Sequence, residues 1–189
     1  MPCSFCYYAN RACKPIFAFH AIYHFAFLYR ILDFTHNLKK NLLYGSSTAT
    51  FLLPYISKLD SAVLFTNNIL TALDAIEMGI RTHCIGGNSI NGSPVLSGLE
   101  AYKGISGIYA DILFFSSQSL DKNGVISDST EEENYLTSLM LNSSQKRVFL
   151  CDSGKFNTHS LFTLAAIDDI DISVFDKPFH NLKCNSQIL

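Results

Sequence analysis

A chain of 189 residues has room for one domain of ordinary size with a core of its own. With 48% hydrophobic and only 16% charged residues it is not a disordered segment, and it leaves apolar surface for a partner chain, so a homo-oligomer is expected. A formal charge of −2 and a pI near 6.3 exclude the lysine and arginine excess that a phosphate backbone demands; direct DNA or RNA binding is not expected of this chain.

Residues 1–43 are crowded with Phe, Tyr, His and Cys and lack turn punctuation. Cys3, Cys6 and Cys13 have spacing that lets thiolates converge on zinc, but no second pair follows, and buried or idle thiols are the expectation. The six cysteines are too scattered for a disulfide framework, which points to a reducing cytoplasm. The apolar stretch 16–32 contains His20, His24 and Arg30 and falls short of the roughly 20 apolar residues that span a membrane. It also lacks the basic start and small-residue cleavage site of a secretory signal. No membrane association is expected; if ordered, the segment packs as an apolar helix over 16–33.

From residue 44 the pattern changes to repeated strand-loop-helix units. Gly45-Ser46-Ser47-Thr48 leads into a helix-length stretch over 49–56. Residues 61–66 (SAVLFT) read as a strand ended by Asn67-Asn68, and residues 69–78 place Leu70, Leu73, Ala75 and Ile76 at helical spacing up to the Gly79 stop. Strands are expected over 81–85, closing at Gly86-Gly87, and over 111–115, closing at Ser116-Ser117. A helix over 131–142 opens on acids and carries Tyr135, Leu136, Leu139 and Met140 on one face. Residues 147–151 (RVFLC) and 172–175 complete the strands. Strands alternating with helices imply an α/β, three-layer αβα, Rossmann-like domain with a mainly parallel sheet, whose ligand sits beyond the carboxyl ends of the strands. The division expected is a divergent segment 1–43 and a sensing domain 44–189.

The strand ends hold the residues with chemistry. Gly45-Ser46-Ser47-Thr48 suits a phosphate, because glycine allows close approach, a helix N-terminus offers free N–H groups and the hydroxyls donate; an ordinary Ser/Thr cap explains it equally well. Thr66, Asn67 and Asn68 present carboxamides that suit sugar hydroxyls, yet Asn is also a common turn residue. Gly86 and Gly87 are either a second close-approach point or a flexible turn. Lys155 is either the partner of an anion or a solvated loop lysine.

Taken in order, these blocks resemble one family. From Gly45 to about Phe179 the sequence resembles the C-terminal sensor domain of DeoR-type bacterial transcription regulators, a sugar-phosphate-binding fold akin to ribose-5-phosphate isomerase. The likeness is carried by Gly45-Ser46-Ser47-Thr48, VLFTNN (63–68), Ile85-Gly86-Gly87 with Gly98, Ala110-Asp111 with Gly124, Glu131-Glu132 and CDSGKF (151–156). It implies that Ser46, Ser47 and Thr48 hold a phosphate, and that Asn67, the Gly86-Gly87 turn and Lys155 line the same cleft, with Gln118 and Glu132 beside it. Where the family carries a Gly-Ala-Asp-Gly-like turn this chain has Ser116-Ser117-Gln118-Ser119, a carboxamide in place of a carboxylate, and Leu136 replaces a frequent lysine. Residues 1–43 show no winged helix-turn-helix pattern; the segment reads as a remnant of that region or a new packing element.

The function expected is therefore an effector-binding sensor for a phosphorylated sugar or related metabolite, signalling through oligomeric change. No catalytic residues, cofactor or metal are expected, and DNA would be reached only through a complete regulator. The competing reading is a sugar-phosphate isomerase with Glu131 or Glu132 as base and Lys155 or a backbone amide stabilising the enediolate, on fold analogy alone.

Overall fold

The computed structural model of the chain describes residues 41–43, 50–185 and 187–188. The expected helix over 16–33, the thiols of Cys3, Cys6 and Cys13, and the loop of Gly45, Ser46, Ser47 and Thr48 lie outside the described residues. In chain order the elements are β1 (Asn41–Leu43), α1 (Leu53–Ile56), β2 (Val63–Thr66), α2 (Ile69–Glu77), β3 (Arg81–Cys84), β4 (Asn88–Ser89), β5 (Leu96–Ser97) and α3 (Leu99–Ser106). There follow β6 (Ala110–Phe115), β7 (Ser119–Leu120), β8 (Val125–Asp128), α4 (Glu131–Asn142), β9 (Ser144–Cys151), β10 (Phe162–Ala166), β11 (Ile172–Phe175) and β12 (Gln187–Ile188).

Seven strands form one sheet in the order β12-β11-β9-β6-β1-β2-β3, and every neighbouring pair in it is parallel. The period of two along the central strands divides their side chains between two apolar layers. Ile112, Phe114, Val148, Leu150, Ile172 and Val174 join Leu53, Ile56 and Ala75 of α1 and α2 on one face. Leu113, Phe115, Phe149, Cys151 and Phe175 join Ala101, Ile105, Leu136 and Met140 of α3 and α4 on the other. Burial on both faces explains why residues 147–151 and 172–175 read as nearly unbroken apolar runs. Each of the Val, Leu, Ile, Phe and Met side chains among them contributes about 1.5–3 kcal/mol on burial. The result is the expected three-layer α/β domain. Its chain enters the sheet at β1, between β2 and β6, so the sheet begins three residues ahead of the division drawn at residue 44.

Several elements differ from their sequence reading for identifiable reasons. The helix expected over 49–56 is interrupted: Thr50 is helical, Phe51 and Leu52 form a turn, and α1 starts anew at Leu53. Pro54 has no N–H to donate to the Thr50 carbonyl, so it is accommodated only in the first turn of a new helix. Helix α2 runs where expected and stops before Gly79, whose φ of 76° is the left-handed conformation glycine favours. Of the four residues placed at helical spacing, however, only Ala75 is buried. Small residues Thr71, Ala72 and Ala75 face the sheet, while Ile69, Leu70, Leu73 and Ile76 are exposed. In α4 the buried residues are Leu136, Thr137, Met140 and Leu141; Tyr135 is half exposed and meets Tyr102 edge-on at 4.8 Å between ring centroids. Helix α3, the β4-β5 hairpin and the antiparallel β10-β8-β7 sheet are additions to the predicted elements.

Candidate functional site

Because the main sheet is parallel throughout, Thr66, Cys84, Phe115, Cys151 and Phe175 all end on one edge. From β1 the chain runs to β2 and β3 on one side, then returns to β6, β9 and β11 on the other, which makes β1 and β6 the place where the strand order reverses. Such a reversal opens a crevice beyond the carboxyl ends. The Gly45 tetrad begins two residues after Leu43, the last residue of β1, and Ser116 follows Phe115 directly.

After β2 the polar side chains serve mainly local structure. Thr66 Oγ1 accepts the Asn68 N–H at 3.1 Å, and Asn68 Oδ1 accepts the N–H groups of Leu70 and Thr71 at 2.9 and 3.1 Å as the N-cap of α2. Asn67 is fully buried; its Nδ2 donates to the Leu96 carbonyl at 2.9 Å, and its Oδ1 has no hydrogen-bond partner among the described residues. After β3, Gly87 has a φ of 130° and its Cα sits so close to β5 that an added Cβ would lie 2.5 Å from the Ser97 carbonyl oxygen. Gly87 is thus a packing contact against Ser97. Gly86 is exposed, with open space where a Cβ would stand.

The strand ends of β6 and β9 are arranged differently. Asp152 caps the short 3-10 turn Ser153–Lys155 by accepting the Gly154 N–H at 3.1 Å, while Ser153 donates through both N–H and hydroxyl to Asp176 at 2.6 and 3.0 Å. This fixes the base of the Lys155 side chain, whose Nζ donates to the buried Ser116 Oγ at 2.8 Å and lies 3.4 Å from Asp152 Oδ2. The lysine therefore points from the end of β9 across to the end of β6. Beneath the same loop lies Asp128, the last residue of β8 and only 2% exposed. Its Oδ1 accepts the Gln118 N–H at 2.8 Å, and its Oδ2 has no partner among the described residues. Burial pushes the carboxyl up to about 6; the Gln118 N–H and Lys155 pull it down, and Glu133 pushes it further up. Neighbouring hydroxyls form a network: Ser119 Oγ is 2.6 Å from Ser160 Oγ, and the Ser160 N–H donates to Ser127 Oγ at 2.9 Å.

Of the residues singled out in the sequence, Asn67 and Lys155 thus stand at the carboxyl edge with polar atoms directed to neighbouring loops. Thr66 and Asn68 are engaged in capping. The Gln118 side chain is exposed, its backbone N–H alone reaching Asp128. Glu132 is exposed on the first turn of α4, where its carbonyl accepts the Ser97 hydroxyl at 3.0 Å. Glu131 is exposed beside it, so neither acid is the carboxylate buried by Lys155. That carboxylate is Asp128, which sequence reasoning missed. Its available signal was an acid closing the short β-rich run VISD, out of place where a strand ends in small neutral residues. Burial pushes the Cys151 thiol up to about 12, so this cysteine of the CDSGKF block is a core residue.

A cavity of about 310 Å³ lies elsewhere, lined by Asp168, Asp169, Ile170, Asp171 and Asn185 where the chain enters β11. Asp171 there accepts the Arg147 N–H at 2.8 Å and Asp168 the Asn185 N–H at 2.7 Å. It is acidic and opposite to the carboxyl edge, so it does not suit an anionic ligand. No helix among the described residues is long and apolar enough to cross a membrane.

Among solved structures the chain is similar to ribose 5-phosphate isomerase from Plasmodium falciparum, at 19% identity and a TM-score of 0.48, over 72% of this chain and 53% of that one. It is similar to ribose 5-phosphate isomerase A from Neisseria gonorrhoeae at 9% identity and a TM-score of 0.47, over 68% and 50%. Among curated proteins it is 23% identical over 138 residues to a putative aga operon transcriptional repressor from Escherichia coli O157:H7. That match covers 72% of this chain, which spans about half (51%) of the repressor's length. The model of the DeoR C terminal sensor domain matches residues 41–177, from the first residue of β1 to just beyond β11, and the chain belongs to that family.

Proposed function

We propose that this chain is an effector-binding domain of DeoR-type regulation, that its carboxyl-edge cleft takes a phosphorylated sugar or a related metabolite, and that it works in the cytoplasm without catalysing a reaction. The observation that carries the reading is Lys155, a cation held by Ser116 and Asp152 at the point where the strand order reverses. A pre-positioned lysine beside a hydroxyl loop is suited to a phosphate dianion. Gly45, Ser46, Ser47 and Thr48 would complete the phosphate contacts, with Asn67 on the sugar. The exposure of Glu131 and Glu132 speaks against either of them as the base of an isomerase, because abstraction of a carbon-bound proton needs a carboxylate within reach of the substrate beside the anion site.

Signalling through oligomeric change is supported by α2, whose exposed Ile69, Leu70, Leu73 and Ile76 form one apolar face beside the edge strand β3. A second copy related by a two-fold axis would cover both the face and the open strand edge. DNA would be reached only through a complete regulator. Thermal-shift screening against sugar phosphates tests the reading: a ligand at 100 times its Kd adds about 2.7 kcal/mol of stability. An aldose–ketose assay on each ligand found is the control, and turnover would overturn the sensor assignment. For the oligomer, Leu73→Asp is expected to shift the sedimentation profile to smaller species; an unchanged profile removes this face from consideration.

A further inference from the structure

Resting on the sensor reading and going beyond it, we infer that Asp128 is a specificity-determining residue that accepts a hydrogen bond from a ligand hydroxyl, so that the site selects a polyol phosphate over a bare anion. Asp128 is placed rigidly, since β8 is paired on both sides, with β7 and with β10. One carboxylate oxygen is occupied by the Gln118 N–H, and the other is buried without a donor among the described residues. An uncompensated buried acceptor is costly, more so when ionised, and a fold that retains one has a use for a donor at that point. Lys155 bears on Asp128 electrostatically and touches Ser116 of the loop whose Gln118 binds Asp128. Cation and free acceptor thus flank one short loop.

The chemistry of the two groups defines the ligand. Lysine recognises a negative charge, whereas an ionised carboxylate recognises only a donor and repels an anion. A phosphate alone satisfies the first and offends the second. A molecule with a phosphate at one end and hydroxyls a few atoms away satisfies both. Asn67 Oδ1, at the carboxyl end of β2, is a second buried acceptor without a donor among the described residues, as a ligand with several hydroxyls would require. Of the three such atoms among the described residues, only Ser173 Oγ lies within a strand of the main sheet, away from its ends.

The test is calorimetric titration of the full chain and its Asp128→Asn variant with ribose 5-phosphate, glucose 6-phosphate and inorganic phosphate. Asparagine keeps an oxygen for the Gln118 N–H but removes the charge and replaces the free acceptor by a donor. The ratio of sugar-phosphate to inorganic-phosphate affinity is expected to fall about tenfold or more, the size of one charge-assisted hydrogen bond. Inorganic phosphate itself should bind no more weakly, since a negative charge near Lys155 has gone. Asp128→Ser, whose hydroxyl can still accept, is expected to fall between, and circular dichroism checks that both variants fold. An unchanged ratio in both variants, with Lys155→Ala still losing every phosphate probe, overturns the role of Asp128 and leaves the sensor reading standing. A folded wild-type chain that binds none of these probes, nor any other sugar phosphate, overturns both.

Discussion

The ends of β2 and β6 look alike as sequence, Thr66-Asn67-Asn68 and Ser116-Ser117-Gln118, each a polar triplet where an apolar strand ends. In the fold they do different things. Thr66 and Asn68 satisfy backbone groups where β2 hands over to α2, and only one oxygen of Asn67 is left over. The Ser116 loop is instead held from outside, by the Lys155 ammonium on Ser116 and by the Asp128 carboxylate under Gln118. The difference teaches that backbone groups claim polar side chains first, and that a ligand can be offered only what they leave unclaimed. A polar strand end is therefore not in itself a binding site.

Substitutions that separate binding from stability break or sharpen this contrast. Lys155→Ala is expected to weaken a phosphorylated ligand tenfold to a hundredfold, by calorimetry, and its unphosphorylated parent far less, because a charge-assisted contact is worth roughly 1.5–3 kcal/mol. Equal losses for the two would return Lys155 to the solvated loop residues. The next effect belongs to Asp128 and is read by pH. Its carboxyl holds a proton up to about pH 6 in the fold, against 3.8 for an ordinary aspartate, so the folded state binds the extra proton between those limits. Stability from this group is greatest below that window and is lost as pH rises through it, by at most about 1.4 kcal/mol per pH unit, flattening above. Burial is the main cause, with Glu133 adding to it and Lys155 and the Gln118 N–H opposing. Denaturant midpoints for Asp128→Asn should lack this slope, and a slope shared with the wild type would assign it to other groups.

On the other side of the contrast, changes should touch stability alone. Gly87→Ala forces a Cβ against the Ser97 carbonyl in a backbone conformation that glycine favours, at a cost of roughly 1–3 kcal/mol in urea unfolding. A variant of wild-type stability would mean that the turn adapts and that Gly87 is free for another role. Asn68→Ala removes the α2 cap for about 1 kcal/mol, with the preference for phosphorylated over free sugar unchanged. A changed preference would move Asn68 from scaffold to site.

How far the sequence discloses this depends on how each element is stabilised. Runs such as VLFT, ADILFF and ISVF stand out because strands buried on both faces must be apolar at nearly every position. The strand β8, VISD, is equally buried, but in a small antiparallel sheet, and its serine and aspartate disguise it as loop. With the strand went Asp128. Helix α2 was legible in its bounds and not in its orientation, because the apolar residues that mark it are the exposed ones, while threonine and alanine allow close approach to the sheet. Lys155 was legible as a residue, but only the capped turn of Asp152 and the Ser153–Asp176 contacts show what aims it.

The position of β1 in the middle of the sheet has a kinetic consequence. Asn41 pairs with Leu64 on one side and with Ile112 on the other, so this strand waits for a distant one before it is flanked on both sides. At a synthesis rate of about 5–20 residues per second the intervening chain takes several seconds to emerge. Until then one edge of β1 is open to whatever strand comes near. Parallel pairings of such long sequence separation are slow to close even in the finished chain, because the loop entropy must be overcome before the contacts form. Refolding of this domain should therefore be governed by the meeting of β1 with β6, and a nascent chain halted before residue 110 exposes the edge most prone to pair with a neighbour.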